Sequence, residues 1–91
     1  MIDKQKITTY INNQQYDSAL SALDLNVENS ASEAEEWLMM RGQLHWRLGH
    51  RGAAMTDMEQ AASMNPSGKA ASYLAHYREI MDFFSPDQFN P

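Results

Sequence analysis

The sequence predicts an all-α fold, and three observations carry that reading. Apolar residues recur at the i, i+3, i+4 period of an amphipathic helix in successive segments. Two such segments flank a break at Gly49. Small residues stand at fixed offsets through the centre, at Gly42, Gly49, Ala54 and Ala61, with Pro66 closing the stretch.

The totals bound the rest. A chain of 91 residues is enough for one small domain with a thin core. Apolar residues make up 43% and charged residues 21%, a globular balance. A net charge of −5 opposes nonspecific binding to nucleic acid and adsorption to anionic lipid. With no cysteine, disulfides, thiolate zinc sites and thiol nucleophiles are excluded. The start has basic residues but no apolar run behind them, and no run approaches a membrane span. The expectation is a cytoplasmic domain.

Taken in order, residues 3–13 read as a first helix, capped by Asp3 and striped by Ile7, Tyr10 and Ile11. Residues 12–15 are a polar break. A second helix is expected over 16–25, with Tyr16, Ala19, Leu20 and Leu23 apolar. Residues 26–31 read as a loop, because Asn and Ser side chains compete for the helix backbone. Ser32 and Glu35 fit a capping box opening a third helix over 33–48. The carboxylates of Glu33, Glu35 and Glu36 suit its N-terminal dipole better than a cation site.

On the third helix Trp37, Met40, Leu44 and Leu48 form one stripe, with Leu38 and His45 beside it. Met39 and Trp46 point to the opposite side, where a two-layer protein offers no obvious core. Gly49 is placed to end this helix in the left-handed conformation, with Arg47 favouring its dipole. The fourth helix, 51–64, carries Ala54, Met55, Met58, Ala61 and Ala62 on one face. Thr56, Asp57, Glu59, Gln60 and Ser63 lie on the other. Gly42, Ala54 and Ala61 allow two antiparallel helices to approach closely. Pro66 stops the fourth helix, and Ser67 is placed to cap a fifth over 68–84. Its apolar face holds Ala70, Tyr73, Leu74, Tyr77, Ile80, Met81 and Phe84, with Ser72, His76, Glu79 and Asp82 opposite.

The stretch 38–66 resembles a tetratricopeptide repeat, a helix–turn–helix unit of about 34 residues. Leu38 stands at the family's first aromatic, Gly42 at its glycine and His45 at its tyrosine. Ala54 and Ala61 match its alanines and Met58 its second aromatic, while Arg41 replaces the usual leucine. Residues 16–20 resemble the start of the second helix of another, degenerate unit. The resemblance implies a degenerate repeat over 3–31, a clear repeat over 33–66, a capping helix over 68–84 and a tail over 85–91. The fold it implies is a short tetratricopeptide-like solenoid of antiparallel helix pairs.

The same resemblance implies a non-catalytic protein-interaction module that takes a peptide or partner helix in a concave groove. Carried over residue by residue, the groove side is Glu36, Met39, Met40, Gln43, Trp46 and Arg47 on the third helix. From the first helix, Lys4, Thr8, Ile11 and Asn12 face it. Some relatives clamp the C-terminal carboxylate of heat-shock chaperones with Lys, Asn and Arg. Only Lys4 matches here, with Thr8, Met40, Ala70 and Leu74 at the other positions, so no such clamp is expected.

Met39 and Trp46 have three readings: a partner anchor, a pair covered by this chain's own tail or fifth helix, and a homodimer interface. The alternative function is therefore a homo-oligomerisation domain whose groove is the subunit interface. No two of His45, His50 and His76 have the i, i+4 spacing of H-E-x-x-H, so no metal centre is expected. His45 reads as a packed histidine. No nucleophile–base motif, phosphate loop or cofactor fingerprint is present, so neither catalysis nor a cofactor is expected. Phe89, following Pro86, raises a self-masking arrangement in which the tail occupies the groove.

Overall fold

The computed structural model describes residues 1–84. Asp3 caps the first helix, its Oδ1 accepting from the Lys6 backbone N–H at 2.8 Å, and α1 spans Lys4–Asn12. After it come α2 (Tyr16–Asn29), α3 (Ala34–Arg47), α4 (Arg51–Met64) and α5 (Lys69–Phe84), with a 3₁₀ turn over Ala31–Glu33 before α3. Each helix packs on the next in chain order. Among the described residues no helix is long and apolar enough to cross a membrane. The tail at 85–91, and with it the self-masking reading, lies outside the described residues.

Two core clusters result, and α3 divides them. Trp37 and Leu44 face one way, joining Ile7, Ala19, Ala22 and Leu23 of α1 and α2. Leu38 faces the other, joining Ala54, Met58, Ala61, Ala70, Leu74 and Tyr77 of α4 and α5. A helix in the middle of a stack is buried on two sides, so Met39 and Trp46 are not left without a core. Both pack, half-buried, against the second cluster. Gly42 makes the α3–α4 approach close. A Cβ there would lie 3.1 Å from Met58 Cε and 3.2 Å from the Ala54 carbonyl oxygen.

The same helix ending occurs twice. At α3, the Gly49 N–H donates to the Trp46 carbonyl at 3.1 Å and the His50 N–H to the His45 carbonyl at 2.8 Å. Gly49 has φ +85°. These crossed bonds are a Schellman motif with glycine at its left-handed position. At α1 the Gln14 N–H donates to Ile11 and the Gln15 N–H to Tyr10, at 3.0 and 2.8 Å. Here the left-handed residue is Gln14, with φ +61°.

Four expectations need correction. The second helix runs on through the supposed loop to Asn29, because Asn26 binds elsewhere than its own helix. Its carboxamide accepts from the Ile2 N–H at 2.9 Å and donates to the Ile2 carbonyl at 2.7 Å, pinning the N-terminal segment. The capping box is absent: the 3₁₀ turn occupies Ser32 and Glu33, and α3 opens with no side-chain cap bond. Asp57 is not on the outer face of α4 but buried at 4% exposure. Ser67 does not start α5; its hydroxyl donates to Asn65 Oδ1 at 3.2 Å, and α5 begins at Lys69.

Candidate functional site

Because α1, α3 and α5 are alternate members of the stack, their adjoining faces line an open hollow of about 530 Å³. Its lining includes Lys4 of α1, Met39, Met40 and Gln43 of α3, and Lys69 and Tyr73 of α5. Glu35 and Glu36 stand at the N-terminal end of α3, beside Asn65 and Gly68 of the α4–α5 turn. The hollow is tight there: a Cβ on Gly68 would lie 2.7 Å from Glu35 Oε2.

The floor and rim differ chemically. Met39 and Met40 offer flexible, polarizable thioethers, which adapt to varied apolar shapes. The Gln43 carboxamide makes no hydrogen bond among the described residues and is exposed, so both its donor and its acceptor are available. Lys4 Nζ donates to Glu36 Oε1 at 2.9 Å across the α1–α3 gap. Both side chains are well exposed, so that ion pair contributes little stability and opens readily.

The sequence-derived groove residues divide. Lys4, Glu36, Met39, Met40 and Gln43 meet in the hollow; Thr8, Ile11, Trp46 and Arg47 do not line it. The Thr8 hydroxyl donates to its own helix at Lys4, and Ile11 packs toward the first core cluster. Arg47 lies against α2, its guanidinium 5.7 Å from the Tyr16 ring centroid. Trp46 stacks on Tyr77 of α5 with ring centroids 4.0 Å apart and planes 3° from parallel. Arg51 sits 4.8 Å from the Trp46 ring centroid. The fifth helix therefore covers Trp46, one of the three readings of that residue.

Burial pushes the Tyr77 hydroxyl above its ordinary value, with Tyr73 adding to the shift. Lys69 and Tyr73 were missed because the sequence reading carried groove positions only onto the first and third helices. Their signal was the i, i+4 spacing that puts both on one face of α5.

The repeat's leucine position holds a polar clamp. Arg41 Nε donates to Asp57 Oδ2 at 2.9 Å, and the same guanidinium donates to Asp57 Oδ1 at 2.8 Å and Asp24 Oδ1 at 2.9 Å. The hydrogen bond to Asp57 holds the Arg41 guanidinium above its already high ordinary value. His45, in the tyrosine position, faces His50 with their Nδ1 atoms 3.1 Å apart. Among the described residues no group of three or more His, Asp or Glu side chains converges as in a metal cage.

No protein-family profile matches the sequence. The chain is 33% identical to human Tetratricopeptide repeat protein 6 over 70 residues, 68% of this chain, and spans 14% of that protein's length. The solution NMR structure of Bacteroides fragilis protein BF1650 superposes with a TM-score of 0.83 at 23% identity. That match covers 98% of this chain and 91% of the other. The five helices packed in succession, the small-residue positions at Gly42, Ala54 and Ala61, and these two likenesses agree. The chain is a tetratricopeptide-like helical-repeat protein.

Proposed function

We propose that this chain is a non-catalytic protein-binding module whose working face is the hollow between α1, α3 and α5. The observation that carries the reading is the convergence of Met39, Met40, Gln43 and Tyr73 on one open concavity. Adaptable apolar side chains with one unengaged carboxamide suit an extended peptide, whose side chains seek apolar contact and whose backbone seeks hydrogen bonds. Charges of both signs at the rim, Lys4 and Lys69 with Glu35 and Glu36, favour a partner segment of mixed charge.

Site-specific photo-crosslinking tests this. A crosslinker replaces Gln43 in the hollow or Gln60 on the exposed outer side of α4, and each chain is exposed to lysate of its native host. A partner captured at Gln43 and absent at Gln60 supports the reading. A synthetic peptide from the captured segment then binds wild type, and Gln43→Trp weakens it by roughly tenfold or more while the melt is unchanged. Capture at Gln60 alone contradicts it.

A further inference from the structure

The Schellman turn between α3 and α4 does more than end a helix. In this motif the residue three from the helix end and the second residue beyond the cap come side by side, usually as an apolar contact. Here those two positions are His45 and His50. The backbone bond from the His50 N–H to the His45 carbonyl, at 2.8 Å, holds them together. Gly49, at φ +85°, supplies the bend. The two rings have centroids 5.3 Å apart and Nδ1 atoms 3.1 Å apart. An i, i+5 pair across a left-handed glycine thus achieves what i, i+4 spacing achieves within a helix.

That separation has a chemical meaning. Metal–nitrogen distances of about 2.0–2.1 Å place two imidazole nitrogens about 2.9 Å apart at a right angle and about 3.4 Å apart at the tetrahedral angle. The observed spacing lies between the two. His50 is exposed and His45 is half-buried. Desolvation holds the His45 imidazole below its ordinary value. The charges that act on it are Asp57 of α4, His50 beside it, Arg41 of α3 and Asp24 of α2. Arg41 engages both carboxylates, so neither is free to become a third ligand.

We propose that His45 and His50 form a two-imidazole chelate for a borderline divalent cation of the Zn²⁺ class, with water completing its coordination. In the metal-free chain the pair shares one proton as a hydrogen bond. On binding, the ring that donates through Nδ1 carries its proton at Nε2 instead, so both Nδ1 lone pairs face the ion and the hydrogen bond is exchanged for two metal–nitrogen bonds. The bound ion ties the end of α3 to the start of α4, the turn that carries Trp46 and Arg51. This proposal stands apart from the groove and does not depend on it.

The test is an NMR titration of the full chain with ZnCl₂, reading the imidazole nitrogens of all three histidines. The expected result is a saturable shift of Nδ1 in both His45 and His50, with His76 unmoved. His50→Gln, at an exposed position, keeps the wild-type melt and loses affinity by roughly tenfold or more. MgCl₂, a hard cation that prefers oxygen, produces no imidazole shift. The absence of a saturable shift overturns the proposal. Saturable zinc binding that persists in His50→Gln overturns it too, because the ion then sits elsewhere.

Discussion

Arg41 forks the carboxylate of Asp57 across the α3–α4 interface, with N···O distances of 2.9 and 2.8 Å. The pair occupies a position where the repeat pattern expects leucine, and its geometry explains how a charge is tolerated there. Asp57 is 4% exposed, and both of its oxygens accept from one planar guanidinium. Asp24 of α2 takes a further N–H, so three helices meet on one side chain. Removing Arg41 strands the buried Asp57 carboxylate, whereas removing Asp57 leaves Arg41 its bond to Asp24. Arg41→Leu is expected to cost about 3–5 kcal/mol in chemical denaturation, and Asp57→Ala less than that. The double variant Arg41→Leu, Asp57→Ala restores an apolar site and recovers most of that loss. A double variant as unstable as the sum of the singles contradicts this account.

The two Schellman turns make a matched pair for a backbone prediction. Gln14 occupies at φ +61° the position that Gly49 occupies at φ +85° in the other turn. A left-handed conformation costs a residue with a Cβ roughly 1–2 kcal/mol, and glycine avoids it at some entropic expense in the unfolded chain. Gln14→Gly is expected to stabilise by about 0.5–1 kcal/mol. Gly49→Ala is expected to destabilise by about 1 kcal/mol, for conformational reasons alone, since a Cβ there meets nothing within 4 Å. Equilibrium melts of both variants check the opposite signs.

Much of this was legible in the sequence, and the limits have physical causes. The four connections between the described helices carry local signals at Asn13, Gly49, Pro66 and Ser30, and the helices between them carry period. The exception was α2. Asn26 reads as a loop former, yet it is fully buried because its carboxamide meets the backbone of Ile2, 24 residues away. No local rule anticipates such a partner. Asp57 misled for the same reason, since its partner Arg41 lies on another helix. The hollow was half legible. Met39, Met40 and Gln43 were placed there by the repeat resemblance, but the positions of Trp46 and Tyr73 depend on how α5 docks, which periodicity does not specify.

The Asn26 clasp gives a prediction of its own. The residue is fully buried, and both hydrogen bonds go to the backbone of one residue, Ile2. Asn26→Leu removes both and leaves the Ile2 N–H and carbonyl without that partner. The expected cost is about 2–3 kcal/mol, with loss of hydrogen-exchange protection at the Ile2 amide. Protection that persists in the variant contradicts the clasp.

Titration of His45 should tilt stability with pH. Desolvation sets its folded-state value below the ordinary one of about 6.5. Asp57 opposes the shift, while His50 and Arg41 add to it. Between the two values the unfolded chain binds more protons than the folded one, so stability rises with pH through that window. Stability is therefore expected to fall as pH drops below about 6.5 and to level off once the folded-state value is passed. His45→Gln removes this contribution to the slope, as denaturant midpoints at matched pH values will show. An unchanged slope in His45→Gln contradicts the assignment.

Under the proposed function, partners bind on the concave side of the stack. Backbone and methyl NMR mapping of a captured partner peptide tests it most directly. The largest shifts are expected on Lys4, Met39, Met40, Gln43, Lys69 and Tyr73 in the lining of the hollow. Shifts concentrated instead on Thr56, Gln60 and Ser63, the outer side of α4, contradict it.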